Sequence, residues 1–290
     1  VQSRVEIHLA GMADRNFHAG LYSKALQYAE RELRVAEELC VAEELVDSVY
    51  ILHATYQIAY ALERLDRNRE AMAVVVRAIP MAIGMRDSVR LLHLERWLGK
   101  LYHNLGLLDD ALAVYTRLLG AESSPGDPLL RINMGRVLIA SKRYPEARAL
   151  LESAEAIASR MENNSEMKFI QISLGVCHQR LGDPDAALRH LHMGMELCRQ
   201  ERDTYNLADA LLCIGDIRME QGDDNAAEEA FRQALALAES EESKSRRGQA
   251  LGALGELYLA RRDFAPALDH LQRAMAISEE TGYVSGINWL

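Results

Sequence analysis

LGVCHQRLGDPDAAL, Leu174 to Leu188, sets the register of the whole chain. Four other stretches align with it without gaps: LGKLYHNLGLLDDAL from Leu98, MGRVLIASKRYPEAR from Met134, IGDIRMEQGDDNAAE from Ile214 and LGELYLARRDFAPAL from Leu254. Gly99, Gly135, Gly175, Gly215 and Gly255 each stand twelve residues before an alanine, namely Ala111, Ala147, Ala187, Ala227 and Ala267, at steps of 36, 40, 40 and 40. A small residue in each of two antiparallel helices lets them approach closely. Large side chains recur four residues after each alanine, at Tyr115, Leu151, Leu191, Phe231 and Leu271. Between the paired small residues, Gly106, Gly182 and Gly222 supply the left-handed residue that ends a helix. One unit is therefore a helix hairpin, repeated along the chain.

Working back, Ala59 and Ala71 fill the same two columns, and Ala13 and Ala25 fill them again only if that step is 46. The excess of six is the period of VAEELCVAEEL, Val35 to Leu45, so that doubled segment is an insertion. Asp47, Asp87, Asn163 and Asp203 share an N-cap column, which keeps the later first helices in register and places the insertion in the second helix of the first unit. SSPGDP, Ser123 to Pro128, marks the 36-residue step and a shortened second helix. Seven units follow, at approximately 6–46, 47–86, 87–122, 127–162, 163–202, 203–242 and 243–282, with 283–290 reading as the start of another helix. The chain is expected to be one solenoid cut from a longer protein. Val35, Leu39, Ala42, Val46 and Val49 step 4-3-4-3, which fits either a seam for a second copy or a longer helix packed on its own neighbours. If copies do pair, a homodimer through Val35, Leu39 and Val46 or through the edge at Trp289 and Leu290 is one expectation among these.

Composition is all-helical: Ala, Leu, Glu and Arg dominate, and aromatics make up 6%. A net charge of −10 argues against direct nucleic-acid binding, and no apolar run is long enough to span a membrane. Cys40, Cys177, Cys198 and Cys213 form no CxxC pair and read as buried thiols of a cytoplasmic protein. No nucleophile motif, metal-binding motif or phosphate loop is present, His190 and His192 point to different faces of a helix, and no cofactor or metal is expected. The aspartates at the hairpin turns, Asp109 and Asp110, Asp183 and Asp185, and Asp223 and Asp224, have a structural reading at helix N-termini.

Gly, Ala twelve later, an aromatic or Leu four after that, and Ala three further on (Ala154, Ala234, Ala274) resembles the tetratricopeptide repeat. The first two units depart from it with Ala13 and Ala59 in the Gly column, and units of 40 residues run longer than the family's 34. The resemblance implies an all-α, right-handed α-solenoid of seven hairpins whose first helices line a concave groove. Arrays of this length also resemble the regulatory segments of bacterial MalT-like regulators and of proteins with a diguanylate cyclase domain. With the Gly column as position 8, the family's groove positions 2, 5, 6, 9, 12 and 13 carry over to His53, His93, Tyr60, Arg64, Arg96, Trp97, Lys100, Asn104, Asn133, Arg136 and Arg180. By this register the middle of the groove is basic, and its C-terminal end is acidic at Asp209, Asp216, Glu220 and Glu256. Arginines on an inner wall suit an acidic peptide or helix, unless they pair with carboxylates of the chain itself. The clamp that grips a chaperone tail is incomplete, because Phe169 and Ser173 stand where its basic residues belong. The expected function is a non-enzymatic interaction module that binds a protein or peptide segment and controls a downstream output domain. A sensory domain for a small molecule or short peptide, or a homo-oligomerisation module, is the alternative.

Overall fold

The computed structural model describes residues 2–18, 21–43, 48–120, 127–161, 165–240 and 243–281. Among them are fourteen α-helices and no strand: α1 (Gln2–His18), α2 (Tyr22–Glu43), α3 (Ser48–Arg64), α4 (Asn68–Gly84), α5 (Ser88–Asn104), α6 (Leu108–Gly120), α7 (Pro128–Ala140), α8 (Tyr144–Arg160), α9 (Met167–Arg180), α10 (Pro184–Glu201), α11 (Thr204–Glu220), α12 (Asp224–Ser240), α13 (Lys244–Ala260) and α14 (Phe264–Thr281). The insertion lies in α2, which runs for 22 residues where α4, α8 and α12 run for 17. Beside SSPGDP, α6 is 13 residues long. Val35 is half-buried on α2, while Leu39, Val46, Trp289 and Leu290 fall outside the residues whose side chains are described.

The chain divides into two compact units, Val1–Leu105 and Gly106–Leu290. The first has a core of Leu52, Leu62, Val75, Leu94 and Leu101. In the second, α7, α9, α11 and α13 each touch the next along one layer, while α8, α10, α12 and α14 alternate with them and lie farther apart from one another. Closer spacing of the first helices makes theirs the inner layer of that unit.

The glycine column works by contact. A Cβ built on Gly135 would stand 2.9 Å from Leu151 Cγ, and one on Gly175 or Gly255 would stand 2.6 Å from Cγ of Leu191 or Leu271. At Gly215 it would enter the ring of Phe231. In the first two hairpins, where the column holds Ala13 and Ala59, the residues sixteen later are the smaller Ala29 and Val75, all four buried. Size is thus exchanged across the helix pair, which is why alanine is tolerated there.

Hairpin turns follow one geometry with different residues. Gly106, Gly182 and Gly222 take φ of 75°, 81° and 77°, and Asp66, Lys142 and Arg262 occupy the same column at 61°, 59° and 64°. After each ordinary residue the next N–H reaches back five residues to close the helix end, as from Arg143 N to Leu138 O at 2.9 Å. A side chain in the left-handed region is strained. Lys142→Gly and Arg262→Gly are therefore each expected to raise the urea midpoint, by about 0.5–1 kcal/mol in stability.

Caps are supplied by Asp87 to Arg90 N (2.9 Å), Asp183 to Ala186 N (3.0 Å) and Asp203 to Asn206 N (3.0 Å), each carboxylate accepting. Asp47 and Asn163, read into the same column as Asp87 and Asp203, lie outside the described residues. Cys177 and Cys198 are buried and unbridged, and burial pushes both thiols up to about 12.

Candidate functional site

In the first unit the groove columns converge on a residue the sequence reading passed over. Glu63, at position 12 on α3, is buried and accepts from Trp97 Nε1 at 2.6 Å while Lys100 Nζ stands 2.5 Å from its other oxygen. Burial raises the Glu63 carboxyl, but Lys100, Trp97 and Arg64 more than offset that and leave it below its usual range. Trp97 stacks on Tyr56 with ring centroids 5.9 Å apart. Arg64 donates to Tyr22 Oη at 2.8 Å and lies over its ring, and Asn104 donates to Asn68 Oδ1 at 3.1 Å. These four groove residues thus hold neighbouring hairpins together. Tyr60 is 42% exposed and edge-on to Phe17, and Arg96 Nη2 stands 3.4 Å from His93 Nδ1.

A second polar group lies on α1, α2 and α3. Glu32 is wholly buried, with Oε1 3.2 Å from His53 Nδ1, and Gln57, one turn after His53, donates to Asp14 Oδ1 at 2.8 Å. Glu32 Oε2 and Gln57 Oε1 are buried with no hydrogen-bond partner among the described residues.

The second unit treats its charges differently. Some are paired: Lys168 Nζ stands 2.6 Å from both Glu201 and Asp203, and Arg261 is 2.5 Å from Glu228. Asp209 is paired too, with Arg246 at 2.8 Å, so it adds no free acid to the C-terminal end. Glu220 accepts from Gln179 at 3.0 Å. Four ionisable residues on the inner face, Arg136 on α7, Arg180 on α9, Asp216 on α11 and Glu256 on α13, enter no hydrogen bond or ion pair among the described residues, and nor does Asn133. Burial pushes Asp216 up to about 6, with Arg180 opposing and Glu220 adding. Burial and the neighbouring Asp216 push Glu256 up to about 7.

His190 is half-buried, its Nδ1 2.7 Å from Gln171 Oε1 and its ring stacked on His178, while His192 is exposed. Among the described residues no three His, Cys, Asp or Glu side chains converge as metal ligands, and no described helix is long and apolar enough to cross a membrane.

Among solved structures the chain is similar to the Rap conjugation gene regulator of the plasmid pLS20 in complex with a Phr peptide, at 17% identity over 96% of this chain and 74% of that one, with a TM-score of 0.74. It is similar also to a Rap protein complexed with competence and sporulation factor (16% identity, 96% and 77% covered, TM-score 0.67). A tetratricopeptide repeat protein from Parabacteroides merdae aligns at 15% identity, over 98% of this chain and all of that one, with a TM-score of 0.57. At these identities the likeness is one of fold. No curated protein matches the sequence. These matches bear on the repeat and do not reach the finer likeness to MalT-like regulators or cyclase-linked arrays. The tetratricopeptide repeat family matches residues 127–200 and 206–280, about half of the chain, and a second description of the same repeat matches 98–129. With these matches, and with its glycine column packed against the large side chains sixteen residues on, the chain belongs to the tetratricopeptide repeat family.

Proposed function

We propose that the chain is a non-enzymatic recognition module whose second unit takes a peptide or protein segment along its inner layer, with Arg136 and Arg180 gripping acidic groups and Asn133 hydrogen-bonding beside them. The observation that carries this reading is placement: Arg136 and Arg180 stand on α7 and α9, successive helices of one layer that touch. Their guanidinium groups, half-buried and exposed, form no ion pair among the described residues. Guanidinium binds carboxylate in a bidentate fork, so an acidic side chain or C-terminus is the matching chemistry. Lys100 and Arg64, by contrast, belong to the Glu63 network and are assigned to holding hairpins together.

Two of the similar structures are described with a bound peptide or factor, and one of them as a gene regulator. By that likeness a bound segment would serve as input to a regulatory output. The test is selection of displayed random short peptides on the native chain and on Arg136→Glu/Arg180→Glu. Acidic peptides are expected to be enriched on the native chain and lost, by tenfold or more in affinity, on the variant. Enrichment that is equal on both, or that lacks acidic residues, would sink the reading.

A further inference from the structure

Beyond its two arginines, the inner layer of the second unit changes sign along the stack. Arg136 on α7, Asp216 on α11 and Glu256 on α13 hold the same repeat position, and Arg180 on α9 stands one turn further along its helix at position 13. Successive first helices touch, so these side chains follow one another across a continuous face. Arg180 is close enough to Asp216 to act on its charge, and Asp216 to act on that of Glu256. Even so, no hydrogen bond or ion pair joins them.

We infer that this face reads a bipolar segment, one whose acidic group meets Arg136 and Arg180 and whose lysine or arginine side chain meets Asp216 and Glu256. Charge complementarity along the layer identifies the occupant. Within the same unit Asp209, Glu201, Asp203 and Glu228 are each answered by a basic side chain. Burial instead disfavours both carboxylates, and the charge of Asp216 adds to this at Glu256, an arrangement that a ligand cation would relieve. Opposite charges at the two ends also fix the direction in which a segment lies, because a reversed segment sets like charges together.

Proton linkage follows. The free pair holds about one proton near pH 6.5, and an arriving cation expels it, so affinity rises with pH between about 5.5 and 7.5 and then levels off. Arg180 and Glu220 are the other charged groups that act on Asp216.

This inference rests on the proposed binding of a segment by the same layer, and the test separates the two. Random displayed peptides are selected on the native chain and on Asp216→Asn/Glu256→Gln, and one enriched peptide is then titrated calorimetrically in buffers of different ionisation enthalpy. Peptides carrying both an acidic residue and a lysine or arginine are expected, binding about tenfold or more weaker to the variant and releasing protons only on the native chain. Acidic peptides without a basic preference, or binding indifferent to the variant, would overturn the inference and leave the proposed function standing. No enrichment on either protein would overturn both. The variant removes buried charge and keeps shape, so it is expected to fold with a melting temperature no lower than the native chain's at about pH 8.

Discussion

Gly215→Ala is expected to lower the stability of the chain by about 2 kcal/mol, although alanine is the better helix former. The reason is Phe231. Its ring is wholly buried, and a Cβ at residue 215 would overlap its edge, so the helices must separate or the ring must leave its rotamer. Overpacking of this kind costs about 1–3 kcal/mol, more than helix propensity returns. Phe231→Val alone opens a cavity and costs about 2–3 kcal/mol. The combination Gly215→Ala/Phe231→Val recreates the pairing that Ala59 and Val75 occupy in the second hairpin. Its urea midpoint is therefore expected to lie well above the sum of the two single losses, with a coupling of about 1–2 kcal/mol. Strict additivity would mean that the small and large columns do not set the helix approach.

That pairing was readable from sequence because the same contact recurs at Gly135, Gly175, Gly215 and Gly255, so its size constraint leaves a column. The turn conformation was half readable. Glycine announces a left-handed residue at Gly106, Gly182 and Gly222, but Asp66, Lys142 and Arg262 adopt it because the helix-closing hydrogen bond demands it, and their identities carry no sign of that. The groove columns told which wall a residue stands on and not whether it is free. Lys100 and Arg136 share one column, yet one meets a buried glutamate from the preceding hairpin and the other meets none. Such pairing depends on rotamers and helix spacing, which a repeat register leaves open. Glu32 did leave a signal. Its column reads Ala78, Leu118, Ala154, Gly194, Ala234 and Ala274 in the other hairpins, so a carboxylate there is out of place.

Two substitutions of the Glu32 and His53 pair are expected to act in opposite directions. Glu32 lies in a column built for apolar groups, and the imidazole of His53, itself half-exposed, is its hydrogen-bonding neighbour. The hydrogen bond to Glu32 raises His53 most, burial opposes, and the charges of Glu32 and of Asp14 on α1 add to the rise. A histidine whose pKa is raised on folding contributes stability that is complete below its unfolded value of about 6.5 and fades as pH climbs through the folded value. Unfolding midpoints measured from about pH 5.5 to 8.5 should therefore fall in the upper half of that range. His53→Ala leaves the buried carboxylate without its counter-charge and is expected to cost about 2–3 kcal/mol near pH 6, at the low end for a broken buried pair because the imidazole is partly solvated. Glu32→Leu fills the column with the side chain that Leu118 already places there, and is expected to gain about 1–3 kcal/mol near pH 8 and to flatten the pH profile. A loss on Glu32→Leu at every pH would show that the carboxylate is held by something stronger than His53. Gain with a flat profile would mean the chain carries Glu32 at the expense of its own stability, in a wall where its neighbour Gln57 also buries an unanswered oxygen.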